Sequence, residues 1–403
     1  MTAALPHLDD VRAAAEMLRG VAVRTPMEES RWLSGAVGGP VRLKCENLQR
    51  TGSFKARGAY VRMARLSDEE RARGVVAASA GNHAQGVALA AQLLDIRARV
   101  YMPEGAPLPK EAATRGYGAE VVFHGHVLED ALAQAQAYAD ETGAVLIHPF
   151  DHADVVAGQA TCGLEILEQD PDVRTVIVPT GGGGLLAGIA LAVKSVRPDV
   201  RVVGVQAAGA AAFPDSLAQG RPIGLERMAT MADGIAVGLP GDVTFAMVRD
   251  LVDDIWTVGE ESLSRALLSL VERAKMVVEP AGAAAVAALL DDPGRCETPA
   301  VAVLSGGNID PLLLGRVIRH GLAAAGRYLY LRVCIPDRPG GLAALLAEVS
   351  EMDANVLEVA HERTSPSLAI DEVEVGLQLE TRSAQDAALV RQRLEERGYR
   401  IKH

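Results

Sequence analysis

The chain has 403 residues, 49% of them hydrophobic and only 3% aromatic, so it is long for one domain and too apolar for a disordered polymer. Its formal charge of −12, with no basic stripe to offset it, argues against nucleic acid or an anionic membrane as partner. The four cysteines (Cys45, Cys162, Cys296 and Cys334) are scattered without a C-x-x-C pair, so neither a disulfide framework nor a zinc site is expected, and a reducing cytoplasm fits.

The first segment, MTAALPHLDDVRAAAEMLRG, acquires acids early and lacks an apolar core segment, so it reads as a helix and not as a signal peptide. No apolar run approaches the length of a membrane span. GVVAAS (74–79) is a short apolar strand and NHAQGVALAAQLL the helix after it. ARVYMP (98–103) and AEVVFHG (119–125) are strands on either side of the helical KEAATRGYG. The helix EDALAQAQAYADETG then leads to the strand VLIHPF (145–150). TVIVPT (175–180), RVVGVQ (201–206) and AVAVLS (300–305) are later strands, each followed by a Gly-rich turn. Continuous apolar strands alternating with helices predict mainly parallel sheets covered on both faces, with ligands beyond the carboxyl ends of the strands. The polar clusters SAGNH, PTGGGG and SGGN each close a strand.

The pattern changes near residue 327. YLYLRVCIP is an alternating strand, DRPGGLAALLAEVSEMDA a helix and NVLEVAHERT a second strand. DEVEVGLQLET alternates with Val373, Val375, Leu377 and Leu379 on one face. AQDAALVRQRLEERG is an amphipathic helix and YRIKH a last strand, giving the βαββαβ order of a ferredoxin-like domain. The expected division is 1–320 for the first part, with a smaller subdomain over about 53–150, then a linker at 321–327 and the second part at 328–403.

Three loops carry the chemical signal. In PTGGGGLLAG (179–188), four glycines between a strand and a helix let the backbone approach an anion, which the helix N-terminus favours. Gly182, Gly184 and Ala187 match G-x-G-x-x-A, yet the next strand ends in Gln206 where a ribose-binding acid is needed, and no Gly-Lys-Ser/Thr follows. A small phosphate ligand fits better than either nucleotide; a tight turn is the plain alternative. SAGNHAQG (79–86) offers Ser79 and Asn82, which by themselves fit an N-cap equally well. SGGNID (305–310) by itself fits a turn. Together with the lysine of TGSFKARGA (51–59) these loops suggest pyridoxal phosphate, which needs an amine and an anion site.

TGSFKARGA, SAGNHAQG, PTGGGGLLAG and LSGGNID resemble the fold-type II pyridoxal-phosphate enzymes, specifically the threonine/serine dehydratases. RTPMEES (24–30), KCENLQ (44–49), HPFD (148–151), ADGIAVG (232–238) and EPAGA (279–283) occur in the order expected of that family. The resemblance implies an α/β fold with two open, mainly parallel sheet domains, like the tryptophan synthase β subunit. It implies Lys55 as the Schiff-base lysine that later takes the α-proton, with Lys55 and Ser79 the catalytic candidates. Phe54 would pack beside the cofactor ring and Asn82 would bond its 3′-oxygen. Gly181, Gly182, Gly183 and Gly184, with the Leu185 amide, would hold the phosphate, itself the proton donor to the departing hydroxyl. Ser305 would face the ring nitrogen, where a neutral hydroxyl favours elimination over transamination. The substrate carboxylate would rest on Ser79, Gly81, Asn82 and His83.

Serine racemases of this group carry a second serine where this sequence has Ala80, so racemase activity should be weak. QAAGAAA after Gln206 supplies no carboxylate, so no metal is expected there. Phe150 would offer an apolar surface to the threonine methyl, a preference worth about 1–3 kcal/mol. His124 and His126 lack a third ligand, and with His148 and His152 they read as surface or packed residues.

CIPDRPGGLAALLAEVSEMDANVLEVAHER resembles the ACT regulatory domain. That likeness implies an amino-acid effector, isoleucine or valine, near Asp337, Gly340, Gly341, Leu342 and Asn355, and pairing of chains into a homodimer or homotetramer. The reading is a threonine ammonia-lyase opening isoleucine biosynthesis. The alternatives are a serine-preferring dehydratase, an enzyme of β-substitution, and a non-catalytic amino-acid sensor that kept the fold.

Overall fold

The computed structural model describes residues 5–324, 326–363 and 368–402. The start of the expected first helix segment (1–4), one residue of the expected linker (325), and Thr364 and His403 at the ends of two expected strands lie outside the described residues. The chain divides into two compact units, Met1–Asp310 and Pro311–His403.

Among the described residues the first unit has ten strands: β1 (Met27–Glu29), β2 (Val41–Lys44), β3 (Val75–Ala78), β4 (Ala98–Met102), β5 (Glu120–Phe123), β6 (Val145–Leu146), β7 (Thr175–Pro179), β8 (Arg201–Ala207), β9 (Asp254–Val258) and β10 (Ala300–Val303). They form a six-stranded sheet in the order β1-β2-β10-β7-β8-β9 and a four-stranded sheet in the order β5-β4-β3-β6. All neighbours are parallel except β1 against β2. The core strands β3, β7 and β10 are almost wholly apolar and buried throughout, as their runs of Val, Ala and Ile require. Helices cover the larger sheet closely because their contact faces are small. A Cβ on Gly188 would stand 2.7 Å from the Val156 carbonyl oxygen, and one on Gly163 would stand 2.9 Å from the Ala192 side chain. Small residues at such crossings explain how a core can be dense with so few aromatics.

Three strands carry no apolar run in the sequence. β1 is MEE, β9 is DIWTV, and β2 (VRLK) ends in a lysine. Lys44 is fully buried because its Nζ donates to the Glu165 carboxylate at 2.6 Å and to the Thr25 carbonyl at 3.0 Å. The expected strand 145–150 stops at Leu146, because the His148 imidazole accepts the amides of Phe150 (3.3 Å) and Asp151 (2.7 Å) and turns the chain.

The second unit begins with the helix Pro311–Ala324, which packs on β11 (Tyr328–Pro336). The division therefore falls at Asp310, earlier than the expected 320, and the expected linker starts inside a helix. The helix Gly341–Glu351, β12 (Asn355–Glu362), β13 (Glu372–Glu380), the helix Ala384–Glu396 and β14 (Arg400–Lys402) complete a βαββαβ order. Its antiparallel sheet runs β12-β13-β11-β14, the ferredoxin-like arrangement. Val373, Val375, Leu377 and Leu379 all face its core with Leu345 and Leu394.

Candidate active site

Lys55 is the first residue of the helix Lys55–Ala64. A lysine there opposes the positive end of the helix dipole, and no acid lies in the first turn to relieve it. The side chain is half-buried, and Nζ donates to the Pro149 carbonyl at 2.9 Å. Burial pushes its pKa down to about 8, against a partial counter-pull from Glu279. Nζ lies 5.1 Å from the centre of the Phe54 ring. Gly86 is needed behind it, since a Cβ there would stand 3.1 Å from the Lys55 carbonyl carbon.

With a pKa of about 8, about one apoprotein molecule in ten holds Lys55 as the free amine at pH 7. The cofactor-free protein should therefore be modified at Lys55 by pyridoxal and borohydride with a rate that rises through pH 8. A midpoint near that of ordinary lysines, above pH 10, would contradict this environment.

PTGGGG closes β7, and Gly183, whose φ is +94°, stands at the N-cap of the helix Gly184–Val196. No side chain caps that helix. A Cβ on Gly182 would lie 2.4 Å from the Phe150 ring, one on Gly183 2.7 Å from the Phe213 ring, and one on Gly184 2.9 Å from Phe150 Cβ. From behind, the Thr244 hydroxyl donates to the Gly182 carbonyl at 2.7 Å, and Gln206 accepts the Phe213 amide at 2.9 Å. The loop is thus pinned from outside the site, and the start of its helix, with buried Leu185 in the first turn and no side-chain cap, suits an anion such as a phosphate. The Phe150 ring packs on Gly182 and edge-on to His148, with centroids 4.6 Å apart. Gly182→Ala should lower pyridoxal-phosphate affinity at least about tenfold without unfolding the chain, as read by fluorescence titration of the apoprotein.

Ser305 ends the segment after β10, is 3% exposed, and its carbonyl accepts the Phe54 amide at 3.2 Å. Ser79 Oγ accepts the Gly81 amide at 3.1 Å, shaping the loop that precedes the helix Asn82–Leu94. Asn82 Nδ2 donates to Glu279 Oε1 at 2.7 Å. His83 does not offer its ring to a substrate carboxylate. Its Nε2 lies 2.7 Å from the Ile147 carbonyl and must donate to it, and burial together with nearby Lys55 pushes its pKa down to about 3, so the ring stays neutral. Only main-chain groups of His83 remain for the expected role.

Four residues at the site carried no assigned role in the sequence. Glu279 is 3% exposed, and burial with nearby Asp233 pushes its pKa up to about 7. Asn308 donates to Asn82 Oδ1 at 2.8 Å. Lys110 pairs with Asp233 at 2.8 Å and stands 3.9 Å from where a Gly81 Cβ would be. The motifs EPAGA, ADGIAVG and SGGNID were visible, but an acid before a helix-opening proline looks like an ordinary N-cap. Among the described residues no cluster of three metal-ligating side chains occurs, and no helix is long and apolar enough to cross a membrane.

In the second unit, a cavity of about 530 Å³ is lined by Asp337, Gly340, Leu342, His361 and Arg363 among others. Arg363 Nε lies 3.3 Å from Asp337 Oδ2 across it. Gly340, with φ +88°, precedes Gly341, which opens the helix. Asn355 is not in the lining; its Nδ2 instead faces Glu380 at 3.3 Å, because it starts β12 beside the far end of β13.

Residues 18–306 match the family described as pyridoxal-phosphate dependent enzyme. The chain belongs to that family. This pyridoxal-phosphate-dependent enzyme is 46% identical over 395 residues to the L-threonine ammonia-lyase of Thermotoga maritima, covering 98% of each chain. A threonine deaminase structure from T.th. is 45% identical, with a TM-score of 0.72, and covers 76% of this enzyme and 99% of that chain. Maize serine racemase is 36% identical, with a TM-score of 0.74, covering 80% and 99%. The half-buried amine, the uncapped glycine cradle and the neutral polar loops fit the cofactor of the family.

Proposed function

We infer that this enzyme is a threonine ammonia-lyase, converting L-threonine to 2-oxobutanoate and ammonia and, less readily, L-serine to pyruvate. The observation that carries it is Lys55, a half-buried amine of lowered pKa whose Nζ donates to the Pro149 carbonyl, in a chain 46% identical over 98% of its length to an L-threonine ammonia-lyase. Pyridoxal phosphate, held by Gly181–Gly184, Leu185, Phe54, Asn82 and Ser305, supplies an electron-withdrawing ring that weakens the bond between the substrate α-carbon and its hydrogen. The Lys55 amine takes that proton, which its depressed pKa allows near neutrality. Ser79 and the backbone of Gly81 to His83 orient the carboxylate so that the α-hydrogen faces Lys55. Ser305 presents a hydroxyl without a formal charge, which favours loss of the β-hydroxyl over transfer of the amino group. Ala80 removes the second hydroxyl that racemisation would need, which sets this site apart from the serine racemases it also resembles.

The cavity of the second unit is the proposed effector site. An amino acid could exchange its carboxylate and ammonium for the Asp337–Arg363 pair, and isoleucine or valine fits the apolar lining of Leu342, Leu346 and Ile335. With isoleucine as inhibitor the enzyme opens isoleucine biosynthesis in the cytoplasm, as a homodimer or homotetramer that shifts between two states. Steady-state kinetics test both levels. Threonine should exceed serine in kcat/KM, by a ratio that one methyl limits to about 10–200. Isoleucine should raise the KM for threonine in the wild type and not in Asp337→Ala. A higher kcat/KM for serine would make it a serine dehydratase, and unchanged kinetics with isoleucine would leave the second unit as an assembly element.

A further inference from the structure

A directed hydrogen-bond chain joins four of the loops. Asn308 Nδ2 lies 2.6 Å from the Thr51 carbonyl oxygen and 2.8 Å from Asn82 Oδ1. A carbonyl oxygen only accepts, so this atom is the amide nitrogen, and both of its hydrogens are used. Asn82 Oδ1 is therefore fixed as an acceptor, and Asn82 Nδ2 is turned to Glu279, whose Oε1 accepts at 2.7 Å. A carboxamide free to turn would present N–H or C=O with nearly equal ease, because the two ends have almost the same shape. Here both ends are held, and one Asn82 N–H is left over.

We propose that Asn308 and Glu279 are positioning residues that clamp the Asn82 carboxamide, so that the ring oxygen of the cofactor always meets an N–H and never a carbonyl. This rests on the reading that Asn82 bonds that oxygen. The surrounding backbone is built for the clamp. A Cβ on Gly52 would stand 2.4 Å from Asn308 Oδ1, and one on Gly306 would stand 2.3 Å from Glu279 Oε1 and 3.1 Å from Asn82 Nδ2. The Glu279 amide also donates to the Gly306 carbonyl at 3.0 Å, fixing where the carboxylate starts. Glu279 faces Asp233, Lys110 and Lys55 as well as Asn82. Bonds that all point from Asn308 toward a carboxylate reinforce one another.

The test is pyridoxal-phosphate affinity of the full-length apoprotein, read by fluorescence titration, with the absorption maximum of the loaded protein as a second readout. Asn308→Asp keeps the shape but loses both donors, and should weaken the cofactor about tenfold or more and shift the absorption maximum. Asn308→Ala, which adds no charge, should do the same. In an Asn82→Ala background, Asn308→Asp should add little, because the clamp then has nothing to hold. Wild-type affinity in both Asn308 variants, or fully additive losses in the double variant, would overturn the proposal. A wild-type chain that bound no pyridoxal phosphate would instead remove the functional reading on which it rests.

Discussion

Lys55→Ala should lower threonine turnover by at least about 10³-fold and abolish the visible absorbance of the loaded enzyme, while circular dichroism stays that of the wild type. The site asks Lys55 for an amine that is neutral part of the time, and alanine supplies none. Lys55→Arg is the sharper variant. It keeps a cation at the start of the helix Lys55–Ala64, but a guanidinium does not deprotonate in proteins, so the loss should be equally deep. Activity retained in Lys55→Arg would reduce Lys55 to a charge. A non-catalytic sensor of the same fold would show no turnover to lose.

Arg57→Met should destabilise the first unit by about 3–5 kcal/mol, seen as a lower denaturant midpoint for the chain. Arg57 is 1% exposed, two residues along the helix from Lys55. Its guanidinium donates twice to Glu46, both at 2.8 Å, and once to Glu165 at 2.7 Å. Lys44 Nζ lies 2.6 Å from the second oxygen of Glu165, so two cations and two anions share one buried cluster. Removing Arg57 leaves Glu46, with no exposure, beside the Thr25 hydroxyl at 2.6 Å and without its main countercharge. Replacing Arg57 and Glu46 together by Met and Leu should cost less than Arg57→Met alone, because no unpaired charge then remains. A double variant less stable than the single one would contradict that account. Since the cluster holds the first turn of the helix that begins with Lys55, cofactor affinity should fall with stability.

The parallel sheets, the ferredoxin-like second unit and the three strand-end loops were legible because apolar runs and glycine-rich turns are local signals. β3, β7, β8 and β10 follow from their apolar runs alone. β2 does not, since a strand ending in lysine looks exposed until Glu165 arrives from a distant helix. For the same reason the sequence does not show that the His83 ring is occupied: only the fold brings the Ile147 carbonyl to it and leaves the main chain for the expected role. That Phe150 packs on Gly182 was equally invisible, because a motif gives its neighbours in sequence and not in space. Glu279 and Asn308 were inside quoted motifs, yet their roles depend on a partner 197 and 226 residues away from them, respectively. Such long-range polar pairs leave no periodic trace in the chain.

The deciding measurement is to incubate the purified, pyridoxal-phosphate-loaded protein with L-threonine and quantify the products. The expectation is equal amounts of 2-oxobutanoate and ammonia, one of each per threonine consumed, with almost no D-threonine or allothreonine. Threonine left unchanged, or converted mainly to its stereoisomers, would contradict it.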